Sequence, residues 1–552
     1  PGGRDAVRGD AGLVTSVEPN ATRAGVEVLR RGGNAVDAAV AVAFTLAVTH
    51  PSAGNLGGGG FMIVRLANGE THAIDFRETA PAAATPDGLR ALTASGGLGW
   101  ASAPVPGSVA GLAYARDRYG TRPLAELVAP ALALARSGHH LGPRQGSVIG
   151  WSWSKLSMDP VARAVFGPNG RPLAEGDLIK QPDLARTLDA IAREGAKGFY
   201  EGPVAARIER EMKAHGGLVT AADLAAYRVK EREPLRFAYR DLEVVTMPPP
   251  SMGGIALAEI LLAMDRARAW DAPVDSGVAH HLFLEASRRA YADRRSVGAD
   301  PDFQPPDVHR ALLARLTDGA FLEARKPTID RTRATPSTEI VVAQGEAASA
   351  TAAAESPQTT HFSVVDAMGN AVSCTTTLSA SFGSKIMVPG TGVLFSNALA
   401  GFTDGGPNAI APGKRMASSM TPTVVSQDGK LVLVLGSPGG DTIPNTVAQV
   451  LRNAVDWRLT IDDAVARGRM HHQFLPDRVR VEKRNPPPKA VLAALGKLGH
   501  AIEPEPMAIG HANSILVDVA TGMAYGVADA REGGKAEGIL RAGAAKKKPK
   551  RR

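Results

Sequence analysis

The chain has 552 residues, of which 44% are hydrophobic, 21% charged and 5% aromatic; this excludes a wholly disordered or collagen-like protein and argues against aromatic platforms for stacking nucleic-acid bases. The length exceeds one average core and predicts a large domain or two to three lobes. The net charge of +8 is uneven, since Lys546, Lys547, Lys548, Lys550, Arg551 and Arg552 supply most of it; residues 546–552 read as a basic, disordered tail on a nearly neutral body. The single cysteine, Cys374, leaves no intrachain disulfide and no Cys-rich zinc site.

In chain order, Gly32-Gly33 stops a first helix, and Asn34 caps a second over Ala35–Val48 that ends before Pro51. That apolar run is too short to span a bilayer and carries Asp37 and Thr45, so a buried helix is expected and no membrane span. The glycine run 54–60 leads into a strand at Phe61–Val64, where glycines allow two backbones to approach closely. It lacks the G-x-G-x-x-G register, and no phosphate-binding P-loop is present. Several helices follow between about 105 and 300. Thr220-Ala-Ala-Asp223 forms a capping box, and Pro248-Pro249-Pro250 reads as rigid and extended. His doublets at 139–140, 280–281 and 471–472 do not make an H-E-x-x-H pattern, so no metal site is expected.

Residues 345–357, rich in Ala, Ser, Thr and Glu, predict a flexible linker. It runs straight into Gln358-Thr359-Thr360-His361 and two strands around the turn Met368-Gly-Asn370. A threonine hydroxyl needs an adjacent base to become a nucleophile. Scission before Thr359 would supply one, because a new α-amino group with a pKa of about 7.7–8.0 then stands beside the hydroxyl. Two strand-entry threonines would look the same. A buried strand at Leu431–Leu435 ends in Gly436-Ser-Pro-Gly-Gly440 before a helix over about 444–455. Gly439 and Gly440 suit backbone donors converging on an oxyanion, or simply a turn. The mixture of strands and helices predicts an α+β protein with sheets packed on helices.

The segments GGNAVDAAVAVAFTLAVTHPSAGNLGGGGFM (32–62), DFRETAPAAAT (75–85), GGLVTAADLAAY (216–227), MPPPSMGGI (247–255), QTTHFSVVDAMGNAV (358–372), SSMTPT (418–423), GSPGG (436–440) and HHQFLPDRVRVEK (471–483) together resemble the γ-glutamyltransferase family of N-terminal-nucleophile hydrolases. The resemblance implies a four-layer αββα sandwich made as one precursor and autocatalytically cut between Gln358 and Thr359. The products would be an associated large subunit, 1–358, and small subunit, 359–552. Thr359 would be the nucleophile, Thr377 its hydrogen-bonding partner, and Gly439 and Gly440 the oxyanion hole. Arg77, Ser418 and Ser419 would hold the α-carboxylate of a γ-glutamyl group, with Asp75 and Glu78 as alternative, structural partners for Arg77. The resemblance also implies water or an amino acid or peptide as acceptor, no metal or organic cofactor, and a periplasmic or secreted location.

The pattern breaks where the family grips the substrate's α-ammonium. Ser379 stands where an Asn is usual, and Ala398 and Gly401 where polar or acidic side chains are usual; Asp404 would substitute only if its loop folds back. The stretch from Phe402 to Ser418 is shorter than in family members that carry a lid loop, and a missing lid would favour hydrolysis. The leading expectation is a γ-glutamyl hydrolase and acyltransferase acting on compounds such as glutathione. A glutaryl-type (cephalosporin) acylase is the same-fold alternative, and a non-enzymatic polyanion-binding protein is the different-class one.

Overall fold

Thr359–Asp366 and Ala371–Thr377 pair antiparallel, with Thr359 opposite Thr377, across the expected tight turn. Asp366 holds that turn: its carboxylate accepts from the backbone N–H groups of Met368 (2.9 Å) and Asn370 (3.0 Å) and from Ala35 (2.9 Å) at the start of the buried helix. The computed structural model describes residues 2–297, 299–325, 328–341 and 358–541. The expected linker at 345–357 and basic tail at 546–552 lie outside them.

The hairpin sits at the centre of a seven-stranded sheet ordered Lys535–Gly538, Gly12–Ser16, Thr359–Asp366, Ala371–Thr377, Gly59–Arg65, Thr71–Asp75, Lys230–Arg232. A second seven-stranded sheet runs Val7–Gly9, Ala524–Val527, Ser514–Val517, Lys430–Leu435, Thr423–Gln427, Leu242–Thr246, Leu235–Tyr239. Side-chain hydrogen bonds stitch the two faces together: Ser373 Oγ donates to Leu435 O (2.8 Å) and Ser363 Oγ to Asn513 O (2.8 Å). Polar groups this deep persist because they are paired.

Helices cover both outer faces, so the layers read αββα. One face buries Ala35–Thr49, Leu124–Ser137 and Pro182–Glu194 against the first sheet. The other buries Gly253–Arg266 and Ile443–Val455 against the second. Ala35–Thr49 is buried along its whole length and begins on a capping box formed by Asn34 and Asp37. Thr220 and Asp223 form the second expected box. Gly58, Gly59 and Gly60 lie against the strand ending at Thr377, where added side chains would collide with its carbonyls or with Glu78. Among the described residues, no helix is long and apolar enough to cross a membrane.

One local expectation is corrected. Pro248–Pro250 is not extended but turns, with the Ser251 N–H on Pro248 O (3.1 Å). The turn is pulled in by the 415–420 loop: Met252 N–H donates to Ser418 O (2.7 Å), and Ser418 N–H to Pro250 O (3.0 Å).

Candidate active site

Thr359 is buried at the first position of its strand. Its hydroxyl donates to Thr377 Oγ1 (3.2 Å), and Thr377 Oγ1 in turn donates to the carbonyl of Gln358 (2.9 Å). The Ser379 N–H donates to the same Thr377 oxygen at 2.8 Å. Thr377 therefore links the hydroxyl that would attack with the carbonyl that would be attacked. Asn55, inside the glycine run, fixes this strand end by donating to Thr377 O (3.0 Å) and Thr376 Oγ1 (3.2 Å). His361 is not a base for Thr359. It is fully buried between Thr375 Oγ1 (2.9 Å) and Ser363 Oγ (3.1 Å), and burial lowers its pKa to about 3.

The GSPGG turn follows a strand of the facing sheet. A side chain at Gly436 would strike the His361 ring, which explains that glycine. Gly439 and Gly440 adopt φ of +128° and +56°, a region that favours glycine, and lead into the helix Ile443–Val455. Gly439 and Thr359 line the same cleft. Arg294 ties the turn to the neighbouring loop: it donates to Ser419 Oγ (2.7 Å) and pairs with Asp441 next to Gly440. Tyr291 adds a hydrogen bond to Asp441 O.

Arg77 is fully buried. One edge of its guanidinium donates to Glu78 Oε2 (2.7 Å); the other faces Met416, with Nε 3.4 Å from the carbonyl and Nη2 3.9 Å from the sulfur. The two candidate partners separate here, because Asp75 pairs instead with Arg232 (2.7 Å) and Arg415 (3.4 Å) and receives only the backbone N–H of Arg77. Gly59 brings Arg77's neighbourhood beside the nucleophile: it pairs with Thr377, and a side chain there would lie 2.5 Å from Glu78 Oε2. Ser418 and Ser419 are buried on the loop that also carries Met416.

The surroundings of Ala398 and Gly401 are apolar. Ala398, Leu399, Phe402, Ile410 and Met416 form one buried cluster with Ala80 and Leu89. A side chain at Gly401 would overlap the Met416 sulfur. Asp404 does not fold back; it is exposed and paired with Arg90 at 2.5 Å. Ser379 has a positive φ of 72°. The 403–417 stretch closes on itself, with Lys414 Nζ donating to Pro407 O (2.8 Å) and Ala409 O (2.9 Å). No local sequence pattern signals that Met416 fills the space beside Gly401.

Thr359 also lines a cleft with Gly439, His50, His511, Arg144 and Glu532. Arg144 and Glu532 form an ion pair across it. Burial raises the Glu532 carboxyl to about 7 despite that partner, and it lowers His50 and His511 to about 3, leaving both imidazoles neutral. The imidazole and carboxylate ligand atoms of His281, Glu285 and His500 lie close enough for a cation. They are already engaged, however. His281 bonds His500 (2.8 Å) and Asp330 O (2.7 Å), and Glu285 bonds Arg289 (2.7 Å), Thr335 and Arg288. With two arginines beside it, the cluster suits a neutralised polar network rather than a metal.

Comparison with known proteins fits this geometry. The chain is 42% identical over 549 residues to a glutathione hydrolase proenzyme of Escherichia coli (strain K12), covering 95% of this chain and 91% of that one. It is 35% identical over 552 residues to an acylase ACY 1 proenzyme of Pseudomonas sp. (strain SE83), covering 97% and 96%. The crystal structure of a cephalosporin acylase from Bacillus halodurans matches with a TM-score of 0.85 at 27% identity, covering 98% of this chain and 97% of that one. The gamma-glutamyltranspeptidase family model matches residues 21–539, and the chain belongs to that family.

Proposed function

We propose that this protein is a γ-glutamyl hydrolase and acyltransferase of the glutathione hydrolase type, made as a proenzyme that cuts itself between Gln358 and Thr359. The observation that carries this reading is the chain of contacts from Thr359 Oγ1 through Thr377 Oγ1 to the Gln358 carbonyl. In maturation, Thr359 Oγ attacks that carbonyl while the Thr377 hydroxyl stabilises the developing oxyanion. The hydroxyl proton passes to the Thr359 nitrogen as the C–N bond breaks, leaving an ester between Gln358 and Thr359 Oγ. Water hydrolyses it to a Gln358 carboxylate and a free Thr359 α-amine, giving subunits 1–358 and 359–552.

In turnover the α-amine takes the hydroxyl proton, and Thr359 Oγ attacks the side-chain amide carbonyl of the substrate. The backbone amides at Gly439 and Gly440 receive the oxyanion. The amine leaves with the proton, and water or an amino acceptor then releases the acyl group. Arg77, Ser418 and Ser419 hold the substrate carboxylate; a planar guanidinium matches it in shape and the hydroxyls fill its remaining acceptor sites. Every step uses this chain's own groups. The periplasmic or secreted location belongs to the same proposal.

Mass spectrometry of the purified protein tests it. Two fragments split at 358/359, and an intact chain for Thr359→Ala, are the expected result; an intact wild-type chain that hydrolyses γ-glutamyl anilide would sink it.

A glutaryl acylase is the second reading, favoured by one observation: Ala398, Gly401 and Met416 present an apolar wall where an ammonium would sit. Losing a charge-assisted hydrogen bond there costs about 1.5–3 kcal/mol. Glutaryl and γ-glutamyl anilides separate the readings; a preference for glutaryl above about tenfold, or ~1.4 kcal/mol, favours the acylase.

A further inference from the structure

We propose that the cleft between Arg144 and Glu532 is the subsite for the amine half of the reaction, and that Arg144 receives the carboxylate of a leaving or accepting amino acid or short peptide. The inference rests on the reading above, in which Arg77, Ser418 and Ser419 hold the acyl half. The cleft shares Thr359 and Gly439 with that site but none of its three carboxylate-binding residues. An amine needs its own place beside the acyl carbon if the acyl chain fills the first site, and this cleft meets Thr359 through other residues.

The chemistry of the walls fits one class of ligand. Arg144 carries the cation in the wall of the cleft, stacked 5.2 Å over Trp151, and its counter-ion Glu532 comes from the other end of the chain. The neighbouring imidazoles of His50 and His511 are neutral and do not compete for an anion. His511 is buried with its Nδ1 lacking a partner, and His50 is turned by Gln145 Nε2 at 3.0 Å. A planar guanidinium prefers a carboxylate in two-point contact. The ligand's carboxylate would take the place of Glu532, which sets the Arg144–Glu532 pair as an internal competitor. Bound there, the ligand directs its free amine at the acyl-enzyme: the amine nitrogen bonds to the acyl carbon, the C–Oγ bond to Thr359 breaks, and the amine proton returns to Thr359 Oγ.

The test measures how one acyl-enzyme partitions between water and an added amine, a ratio that changes in total activity do not move. The acyl group comes from whichever anilide, γ-glutamyl or glutaryl, the wild-type enzyme hydrolyses. Arg144→Ala is expected to lower partition to glycylglycine at least tenfold and to glycylglycinamide less than twofold. Glu532→Gln, which removes the competitor, is expected to raise partition to glycylglycine. Equal loss of both amines in Arg144→Ala, no loss, or a fall in Glu532→Gln would overturn the proposal; a purely structural ion pair moves both variants the same way. A protein that stays uncut at 358/359 and hydrolyses neither anilide refutes the proposed function itself, and this proposal with it.

Discussion

Met416 stands between Arg77 and Gly401: its sulfur is 3.9 Å from Arg77 Nη2 and occupies the space that a side chain at 401 would need. Restoring an acidic residue is therefore not a one-site change. Gly401→Asp alone overpacks a buried cluster, which typically costs 1–3 kcal/mol, and should lower stability without improving γ-glutamyl turnover. Gly401→Asp with Met416→Ala makes room for the carboxylate and should shift the γ-glutamyl over glutaryl ratio of kcat/KM by about tenfold or more, the range of a charge-assisted hydrogen bond. Parallel assays with the two anilides check this; a single variant that gains as much as the double one would contradict it.

Thr377 bonds both the Thr359 hydroxyl and the Gln358 carbonyl, so its hydroxyl should matter in maturation before any substrate is involved. Losing one oxyanion donor typically slows acyl transfer about 10²–10³-fold. Thr377→Val should slow the 358/359 cut by about that factor, and Thr377→Ser should keep most of it. Time courses on denaturing gels give the rate. A Thr377→Val chain that processes at the wild-type rate would remove Thr377 from this role.

His361 provides a pH test of the buried hairpin. Its folded-state pKa of about 3 lies below the ordinary 6.5, through burial. The unfolded chain therefore binds a proton at pH 5 that the folded chain does not, and stability falls as pH drops below about 6.5 and continues to fall toward 3. The loss amounts to about 2 kcal/mol by pH 5, from 1.36 kcal/mol per pKa unit. Uncleaved Thr359→Ala protein keeps unfolding to a single chain. In that background the stability gap between His361 and His361→Asn should shrink by about 2 kcal/mol between pH 7.5 and pH 5, measured by denaturant titration. A gap that widens toward acid would reverse the assignment.

Local chemistry made much of this legible. Asn34 and Asp37 mark the start of the buried helix, and Asp366 with Asn370 marks the hairpin turn that sets Thr359 against Thr377. The glycines at 436, 439 and 440 are readable as a special turn, although the reason for Gly436 is the His361 ring, 75 positions upstream in sequence and on the other sheet. The remainder depends on pairs that no local pattern connects. Arg144 meets Glu532 across most of the chain, Arg294 reaches both Ser419 and Asp441, and Met416 closes over Arg77. Periodicity reports which face is buried, not which distant residue covers it.

Ser379 joins backbone strain to specificity. Its φ of 72° is left-handed, where a non-glycine residue is disfavoured by roughly 1 kcal/mol and Asn is tolerated better than most. Its N–H is fixed on Thr377 Oγ1 at 2.8 Å, so the residue cannot relax without disturbing the nucleophile's partner. Ser379→Asn should raise the melting temperature by about 1 °C or less, because about 1 kcal/mol is set against the unfolding entropy of 552 residues. It should also place a carboxamide oxygen beside Thr377, lowering KM for γ-glutamyl anilide while leaving glutaryl anilide, which has no ammonium, unimproved. Thermal melts and the paired assays read the two effects separately. A variant that improves both substrates alike would show that relieved strain acts on the nucleophile itself, and that position 379 does not sense the ammonium.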